Sequence, residues 1–179
     1  MLIGIQGGLG TGKTLLLTRY LLNDYLKGYT IFANYHLTDI DYTLFDVNDF
    51  LFKEKENESL KNMTIGIDEL TVFVDCRLSM SKKNLLFSYL VLQSRKRSVD
   101  LYYTTQNFRM IDKRITEHTH IKVLCESVYD EYGTLIPHYK KYVVMDMRDI
   151  TRPNIERFVL DIRPYYKYYD TDEIILPDK

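Results

Sequence analysis

The sequence predicts an α/β fold with a mainly parallel central sheet and an antiparallel C-terminal extension. Three observations lead to this prediction. Short apolar runs alternate with helical segments in the first two thirds of the chain, and a glycine-rich loop joins the first run to the first helix. In the last third, apolar runs follow one another with only turn residues between them, which is typical of antiparallel strands. The 179 residues are predicted to form a single domain, 1–179.

The elements of the first part follow from apolar periodicity and from residues that stop helices. Strands are predicted at MLIGIQ, YTIFAN, MTIGID and VDLYYTTQN. Helices are predicted at TLLLTRYLLNDYLKG, DVNDFLFKEKENESLKN and SKKNLLFSYLVLQSRKR. Gly28 is a suitable stop for the first helix, and the second segment is either a helix or a helix with a loop.

The last third predicts three successive strands. They lie at HIKVLCESVYD, HYKKYVVMDMRD and IERFVLDI. Turns between them are expected at Gly133 and Pro137 and again at Pro153-Asn154.

Composition excludes several classes of protein. The net charge of −1 indicates that the chain as a whole does not bind polyanions, so a nucleic-acid surface must come from local clustering. Cys76 and Cys125 have no CxxC spacing and predict reduced thiols in a cytoplasmic protein. No apolar stretch reaches the roughly 18 residues needed to span a bilayer, and no signal peptide precedes the first strand, so no membrane segment is expected.

The loop GGLGTGKT matches the pattern GxxxxGK[ST], and it lies between a predicted strand and a predicted helix. Backbone N–H groups of such a loop wrap a phosphate, and the helix N-terminus adds positive potential. Lys13 is expected to reach the β- and γ-phosphates, and Thr14 to ligate Mg²⁺. The loop therefore predicts ATP and Mg²⁺ as ligands. The nucleotide-binding residues would be Gly7, Gly8, Gly10, Thr11, Gly12, Lys13 and Thr14.

Two adjacent carboxylates end the strand in IGIDEL. Asp68 suits the second Mg²⁺ ligand that such ATPases take from a neighbouring buried strand. Glu69 falls beyond the strand end, where a carboxylate can deprotonate an attacking water. Kinases of small molecules must exclude water and need no such base, so the pair favours hydrolysis. The alternative is that Glu69 caps a helix beginning at ELTVF.

Gln106 ends the strand VDLYYTTQN, which is expected near the nucleotide. An amide there could sense the γ-phosphate or position water. The alternative is a polar strand end that is hydrogen-bonded to a turn, and the sequence leaves both open.

These motifs resemble those of additional-strand P-loop ATPases of the FtsK/HerA superfamily. The similarity is greatest to viral genome-packaging ATPases and to zonula occludens toxin-like assembly proteins. The residues that carry the resemblance are GGLGTGKT, TIGIDEL, LQSRKRSVDLYYTTQNFRMIDKRI and YYKYYDTDEII. The resemblance implies a RecA-like P-loop core that works as a ring, hexamer or pentamer, and moves or packages nucleic acid. Toxin-like proteins usually have a membrane segment and many motors have further domains; neither is visible here, which favours packaging.

The resemblance also implies an arginine that acts on the ATP of the neighbouring subunit. Residues 82–114 contain eight basic and two acidic residues, and Arg95 and Arg97 end a predicted helix there. Either arginine is a candidate, although such cations also complement a helix C-terminus. Arg109, Lys113 and Arg114 could instead contact a DNA backbone. The four tyrosines of PYYKYYDTDEII could stack on adenine or on a neighbouring subunit, and packing against the core is the favoured alternative.

The sequence therefore predicts an ATP-hydrolysing nucleic-acid translocase, in particular a viral genome-packaging ATPase. Its expected partners are double-stranded DNA, copies of itself in a ring, and a capsid or portal protein in the host cytoplasm. The alternative is an ATP-dependent assembly factor for virions or filaments, in which ATP switches a protein contact and moves no DNA.

Overall fold

The computed structural model describes residues 1–46, 62–72, 74, 82–94, 99–149, 151, 152 and 154–170. The strands are β1 Leu2–Gln6, β2 Thr30–Ala33, β3 Tyr42–Leu44, β4 Met63–Ile67, β5 Val99–Thr105, β6 Ile121–Tyr129, β7 Leu135–Asp146 and β8 Asn154–Asp161. The α-helices are α1 Lys13–Tyr25, α2 Lys82–Ser94 and α3 Lys113–Glu117. Short 3₁₀ helices cover Leu70–Val72, Phe108–Met110 and Arg163–Tyr168.

The strands of the described residues form one sheet in the order β3-β2-β4-β5-β1-β6-β7-β8. Every pair from β3 to β6 is parallel, whereas β6, β7 and β8 pair antiparallel. The predicted fold class is thus confirmed, including the antiparallel extension. β5 lies between β1 and β4 and is parallel to both, so the carboxyl ends of these three strands lie next to one another.

Both faces of the central strands are buried, because helices cover the sheet on both sides and successive side chains point to opposite faces. On one face α1 covers the sheet and contributes Leu16, Leu17 and Leu21 to the core. On the other face α2 contributes Phe87, Leu90 and Val91, and α3 contributes Ile115. Tyr102 belongs to the first core and Tyr103 to the second, as the alternation along β5 requires.

A buried carboxylate fixes the C-terminal part of α1 to the sheet. Asp24 Oδ2 accepts hydrogen bonds from Tyr102 Oη on β5 (2.7 Å) and from Thr64 Oγ1 on β4 (3.1 Å). Lys27 Nζ lies 2.9 Å from Asp24 Oδ1 and supplies the compensating charge. The helix is therefore held to the sheet at the end opposite the glycine-rich loop.

Three details differ from the sequence-based expectations. Pro137 was expected in a turn, but β7 begins at Leu135 and includes it. The pairing of β6 with β7 changes register between Ser127 and Tyr129, and proline is tolerated at such irregularities because no ladder hydrogen bond is required there. The three-residue strand β3 was not predicted. Directly after Glu69, where the alternative interpretation placed a helix beginning at ELTVF, the structure has a 3₁₀ helix at Leu70–Val72.

Three other predictions concern the helix at residues 46–62, the two cysteines and the absence of a membrane segment. The helix predicted over residues 46–62 lies, apart from its two end residues, outside the described residues. Cys125 is buried and not disulfide-bonded, and burial raises the pKa of its thiol to about 12; Cys76 is outside the described residues. Along the described ranges, no helix combines the length and the apolar character needed to cross a bilayer.

Candidate nucleotide-binding site

The glycine-rich loop adopts a backbone that side chains would disturb. Gly10 and Gly12 have φ values of 69° and 86°, in the left-handed region that favours glycine. A Cβ atom on Gly12 would lie 3.0 Å from both Lys140 Cγ and Tyr142 Oη. A Cβ atom on Gly7 would lie 2.4 Å from Thr11 Oγ1 and 2.9 Å from the carbonyl oxygen of Cys125. The loop is therefore pressed against the antiparallel extension.

Side chains of the loop hold it in a compact turn. Thr11 Oγ1 donates to the carbonyl oxygen of Gly8 at 2.8 Å, and Lys13 Nζ donates to the same oxygen at 3.1 Å. Tyr142 Oη, on β7, donates to the carbonyl oxygen of Gly12 at 3.2 Å. The buried ammonium group of Lys13 thus lies across the loop, where phosphate oxygens of a nucleotide would be bound.

Asp68 and Thr14 meet directly, although 54 residues separate them. Thr14 Oγ1 lies 3.1 Å and 3.0 Å from the two carboxylate oxygens of Asp68, and Thr104 Oγ1 donates to Oδ1 at 2.6 Å. Burial raises the pKa of Asp68, and the hydrogen bonds from Thr104 and Thr14 oppose that shift. A hydroxyl and a carboxylate are oxygen ligands that fit Mg²⁺.

The structure contains no self-sufficient metal cage in its described residues, where no group of three His, Cys, Asp or Glu side chains converges. Magnesium commonly keeps several waters and binds through one or two protein oxygens together with substrate phosphates. The pair of Thr14 and Asp68 beside the loop is compatible with that mode of binding.

Asn34, which sequence reasoning did not single out, lies directly after the neighbouring strand β2 and holds the peptide of Asp68. Asp68 N donates to Asn34 Oδ1 at 2.7 Å, and Asn34 Nδ2 donates to the Asp68 carbonyl oxygen at 2.9 Å. The available signal was a polar residue directly after the apolar strand TIFA. Asn34 therefore positions the candidate Mg²⁺ ligand through its backbone.

Glu69 turns sharply out of β4 toward the loop. Its φ is 48°, which is unusual for a residue other than glycine, and its N–H donates to Thr104 Oγ1 at 2.8 Å. Its Oε1 lies 3.6 Å from Lys13 Nζ, and 25% of its side chain is exposed. The structure thus brings the predicted base and the predicted phosphate-binding lysine together. The role of Glu69 as the base stays a prediction.

The other predicted site residues have different outcomes. Gln106 is exposed directly after β5, between the ends of β1 and β4, so its position is compatible with either interpretation of its role. Arg95 and Arg97 lie outside the described residues. Arg109 is exposed; its N–H donates to Asn107 Oδ1 at 3.0 Å.

Two further cations of the basic segment form ion pairs with acids nearby in sequence. Arg114 donates to Asp112, with Nη2 2.5 Å from Oδ2, and this contact lowers the pKa of Asp112. Lys113 Nζ lies 3.4 Å from Glu117 Oε1 on the surface of α3. The positive charge available to an external phosphate is therefore smaller than the residue count of the segment indicates.

The fold and the loop define the structural class of P-loop NTPases. Among solved structures, the chain is similar to the N-terminal domain of zonular occludens toxin from Neisseria meningitidis. The TM-score is 0.62 with 17% identity, over 94% of this chain and 97% of that one. It is also similar to a structure of ATPases 2 and 3 of EssC from Geobacillus thermodenitrificans. There the TM-score is 0.56 with 13% identity, over 97% of this chain and 40% of that one.

A third similar structure is the genome-packaging NTPase B204 from Sulfolobus turreted icosahedral virus 2, determined in complex with ATP-γ-S. The TM-score is 0.60 with 11% identity, over 89% of this chain and 98% of that one. No protein-family model matches the sequence, and comparison with curated proteins gives no significant match. The resemblance inferred from the sequence is thus confirmed at the level of the fold.

Proposed function

We propose that this chain is an ATPase that moves nucleic acid, and that it packages a viral genome as a homo-oligomeric ring. The observation that carries the proposal is the placement of Lys13 and Glu69 against each other across the phosphate-binding loop, with Thr14 and Asp68 beside them. We further propose that residues 1–179 form one P-loop domain.

The site supports hydrolysis in the following way. Lys13 binds oxygens of the β- and γ-phosphates, while Thr14 and Asp68 hold Mg²⁺, which when bound neutralises phosphate charge. Glu69 accepts a proton from a water molecule as the water oxygen bonds to the γ-phosphorus. The bond from that phosphorus to the bridging oxygen breaks, and ADP and inorganic phosphate leave. Gln106 would position the water from beyond β5.

Coupling to nucleic acid is supported by similarity and by the basic segment. B204 is a genome-packaging NTPase that was solved with a nucleotide analogue, and it shares this fold. In the proposed ring, Arg95 or Arg97 reaches the nucleotide of the neighbouring subunit, and the exposed Arg109 contacts the phosphates of double-stranded DNA. A capsid or portal protein would hold the ring in the host cytoplasm.

A second candidate is an ATP-dependent switch in virion or filament assembly. The local ion pairs of Lys113 and Arg114 favour it, because they leave less positive charge for DNA. The similarity to a zonular occludens toxin domain favours it as well. In this case ATP binding changes a protein contact and moves no nucleic acid.

The catalytic part is tested with Glu69→Gln. The amide keeps the size of the side chain but cannot accept the proton, so ATP binding persists while turnover falls by about 10²- to 10⁴-fold. Glu156→Gln, on the exposed strand β8, serves as the control and keeps full turnover. Undiminished ATPase activity in Glu69→Gln would refute the assigned base.

The choice between translocase and switch is tested by ATPase assays with and without double-stranded DNA, together with a mass measurement of the assembly. A translocase is stimulated by DNA, and the stimulation weakens between about 50 mM and about 200 mM salt because phosphate contacts release counterions. Activity should also require the ring. Full activity in a demonstrably monomeric sample, or no response to any nucleic acid, would favour the switch.

A further inference from the structure

A cavity of about 300 Å³ opens on the outer side of the glycine-rich loop. One wall consists of loop residues and the first turn of α1. The opposite wall comes from the antiparallel extension and the 3₁₀ helix that follows it, with Pro137, Lys140, Ile162, Tyr166 and Tyr169. These residues lie far from the loop in sequence. Tyr166 and Tyr169 belong to the segment PYYKYYDTDEII, for which stacking on adenine was one of the alternatives left open by the sequence.

Lys140 is a buried cation with no acidic partner in the described part of the chain. Its side chain is 6% exposed, and its stem crosses Gly12. None of the ion pairs or hydrogen bonds formed among the described residues involves its ammonium group. Burial lowers the pKa of Lys140. Because an unpaired buried charge is costly, the geometry favours an anion in the adjoining cavity.

Two tyrosine rings form the far side of the cavity. Tyr166 is 41% exposed, whereas Tyr169 is half-buried against the core. Their segment is fixed by an antiparallel bridge between Leu37 and Tyr169 and by a hydrogen bond from Thr38 N to the Tyr168 carbonyl oxygen at 2.9 Å. Burial and the neighbouring Tyr166 raise the pKa of Tyr169 to about 12, so its ring is neutral at physiological pH.

We propose that this cavity binds the nucleoside half of the nucleotide. Lys140 pairs with the phosphate nearest the ribose, and the base lies against the rings of Tyr166 and Tyr169. The proposal rests on the proposed ATP binding at the loop, and it adds residues that the loop motif does not contain. Lys13 and Lys140 approach the loop from different elements, so a triphosphate along the loop can contact both. The base then reaches an aromatic surface, on which stacking is favourable.

The test measures the Kd of AMPPCP and of inorganic tripolyphosphate, both with Mg²⁺. Tripolyphosphate reports only the phosphate contacts, whereas AMPPCP also reports the contacts of the base. Lys140→Met retains the stem over Gly12 and removes the charge. It should raise the Kd of both ligands by about 10- to 100-fold, the loss expected for a charge-assisted hydrogen bond. The control is Lys141→Met on the opposite side of β7, where Lys141 Nζ lies 2.8 Å from Glu126 Oε2. This variant should bind both ligands as the wild type does.

The aromatic wall is tested with Tyr166→Ala, which should raise the Kd of AMPPCP by about 5- to 100-fold and leave tripolyphosphate unchanged, because only the nucleotide has a base to stack. Tyr166→Phe should bind like the wild type. Tyr132→Ala, at an exposed hairpin position, is the control for loss of a tyrosine. A circular dichroism spectrum and a thermal midpoint confirm that each variant is folded.

The results distinguish this inference from the function on which it rests. If the wild type binds neither AMPPCP nor tripolyphosphate, the proposed ATPase function fails. If the wild type binds both and the Lys140 and Tyr166 variants bind equally well, the ATPase proposal stands and the nucleoside site is overturned. A loss of tripolyphosphate binding in Tyr166→Ala as large as the loss of AMPPCP binding would also overturn the stacking role.

Discussion

Glu69 allows a direct measurement of the strain that the candidate catalytic residue carries. Its φ of 48° places it in the left-handed region, where a non-glycine residue costs about 1–2 kcal/mol. Glu69→Gly removes this cost, but glycine loses about 0.5–1 kcal/mol more than alanine through chain entropy. The 3.6 Å contact with Lys13 contributes little, because the buried Lys13 ammonium keeps its hydrogen bond to the Gly8 carbonyl oxygen in this variant. The free energy of unfolding should therefore stay equal or rise by up to about 1.5 kcal/mol, while turnover is lost.

The control is the same substitution at Glu156, which lies in β8 without a positive φ. Glu156→Gly has the entropic cost of glycine but relieves no strain, so its free energy of unfolding should fall by about 0.5–1 kcal/mol. The difference between the two variants, about 1–2 kcal/mol, measures the strain at Glu69. Urea unfolding with linear extrapolation gives both values. If Glu69→Gly loses as much stability as Glu156→Gly, the reasoning about strain is wrong.

Two further predictions concern residues that position or surround the site. Asn34→Ala removes two hydrogen bonds to the Asp68 peptide and should lower the free energy of unfolding by about 2 kcal/mol, or Tm by about 4–8 °C. The control Asn154→Ala, at the surface, should lower it by less than about 0.5 kcal/mol. Equal losses in the two variants would contradict the role of Asn34. Asp112→Asn tests a pH dependence: Arg114 lowers the folded-state pKa of Asp112, so its stabilisation is present above the unfolded value of about 3.9 and is lost as the pH falls below it. The stability gap between wild type and Asp112→Asn should thus shrink from neutral pH to about pH 3, and a gap independent of pH would refute it.

The loop was predictable because its determinants are local. Strand, glycines, lysine and threonine lie within the first fourteen residues, and each has a conformational or electrostatic reason that a single stretch of sequence displays. The adjacency of Asp68 and Glu69 after an apolar run was likewise sufficient to place both at a strand end. The alternation of strands and helices then predicted the parallel sheet and its extension.

The supports of the site were not predictable, because they come from distant segments. Asn34 and Thr104 contact Asp68 across 34 and 36 residues, and each is an ordinary polar residue at a strand end. Only the order of strands in the sheet, with β4 between β2 and β5, brings them together. The strand β3 has three residues, too few for a periodic pattern, and the inclusion of Pro137 in β7 depends on a local shift of pairing.

The antiparallel extension contains no nucleotide-binding motif, but its side chains determine the geometry of the glycine-rich loop. Side chains alternate along β7, so Lys140 and Tyr142 both point toward the glycine-rich loop, while Lys141 between them points away and pairs with Glu126. Tyr142 donates to the Gly12 carbonyl oxygen, and Lys140 covers the same glycine. A shift of one residue in the register of β7 would exchange these positions and leave the loop without either contact. The conformation of the glycine-rich loop therefore depends on the correct pairing of β6 with β7 as well as on its own glycines.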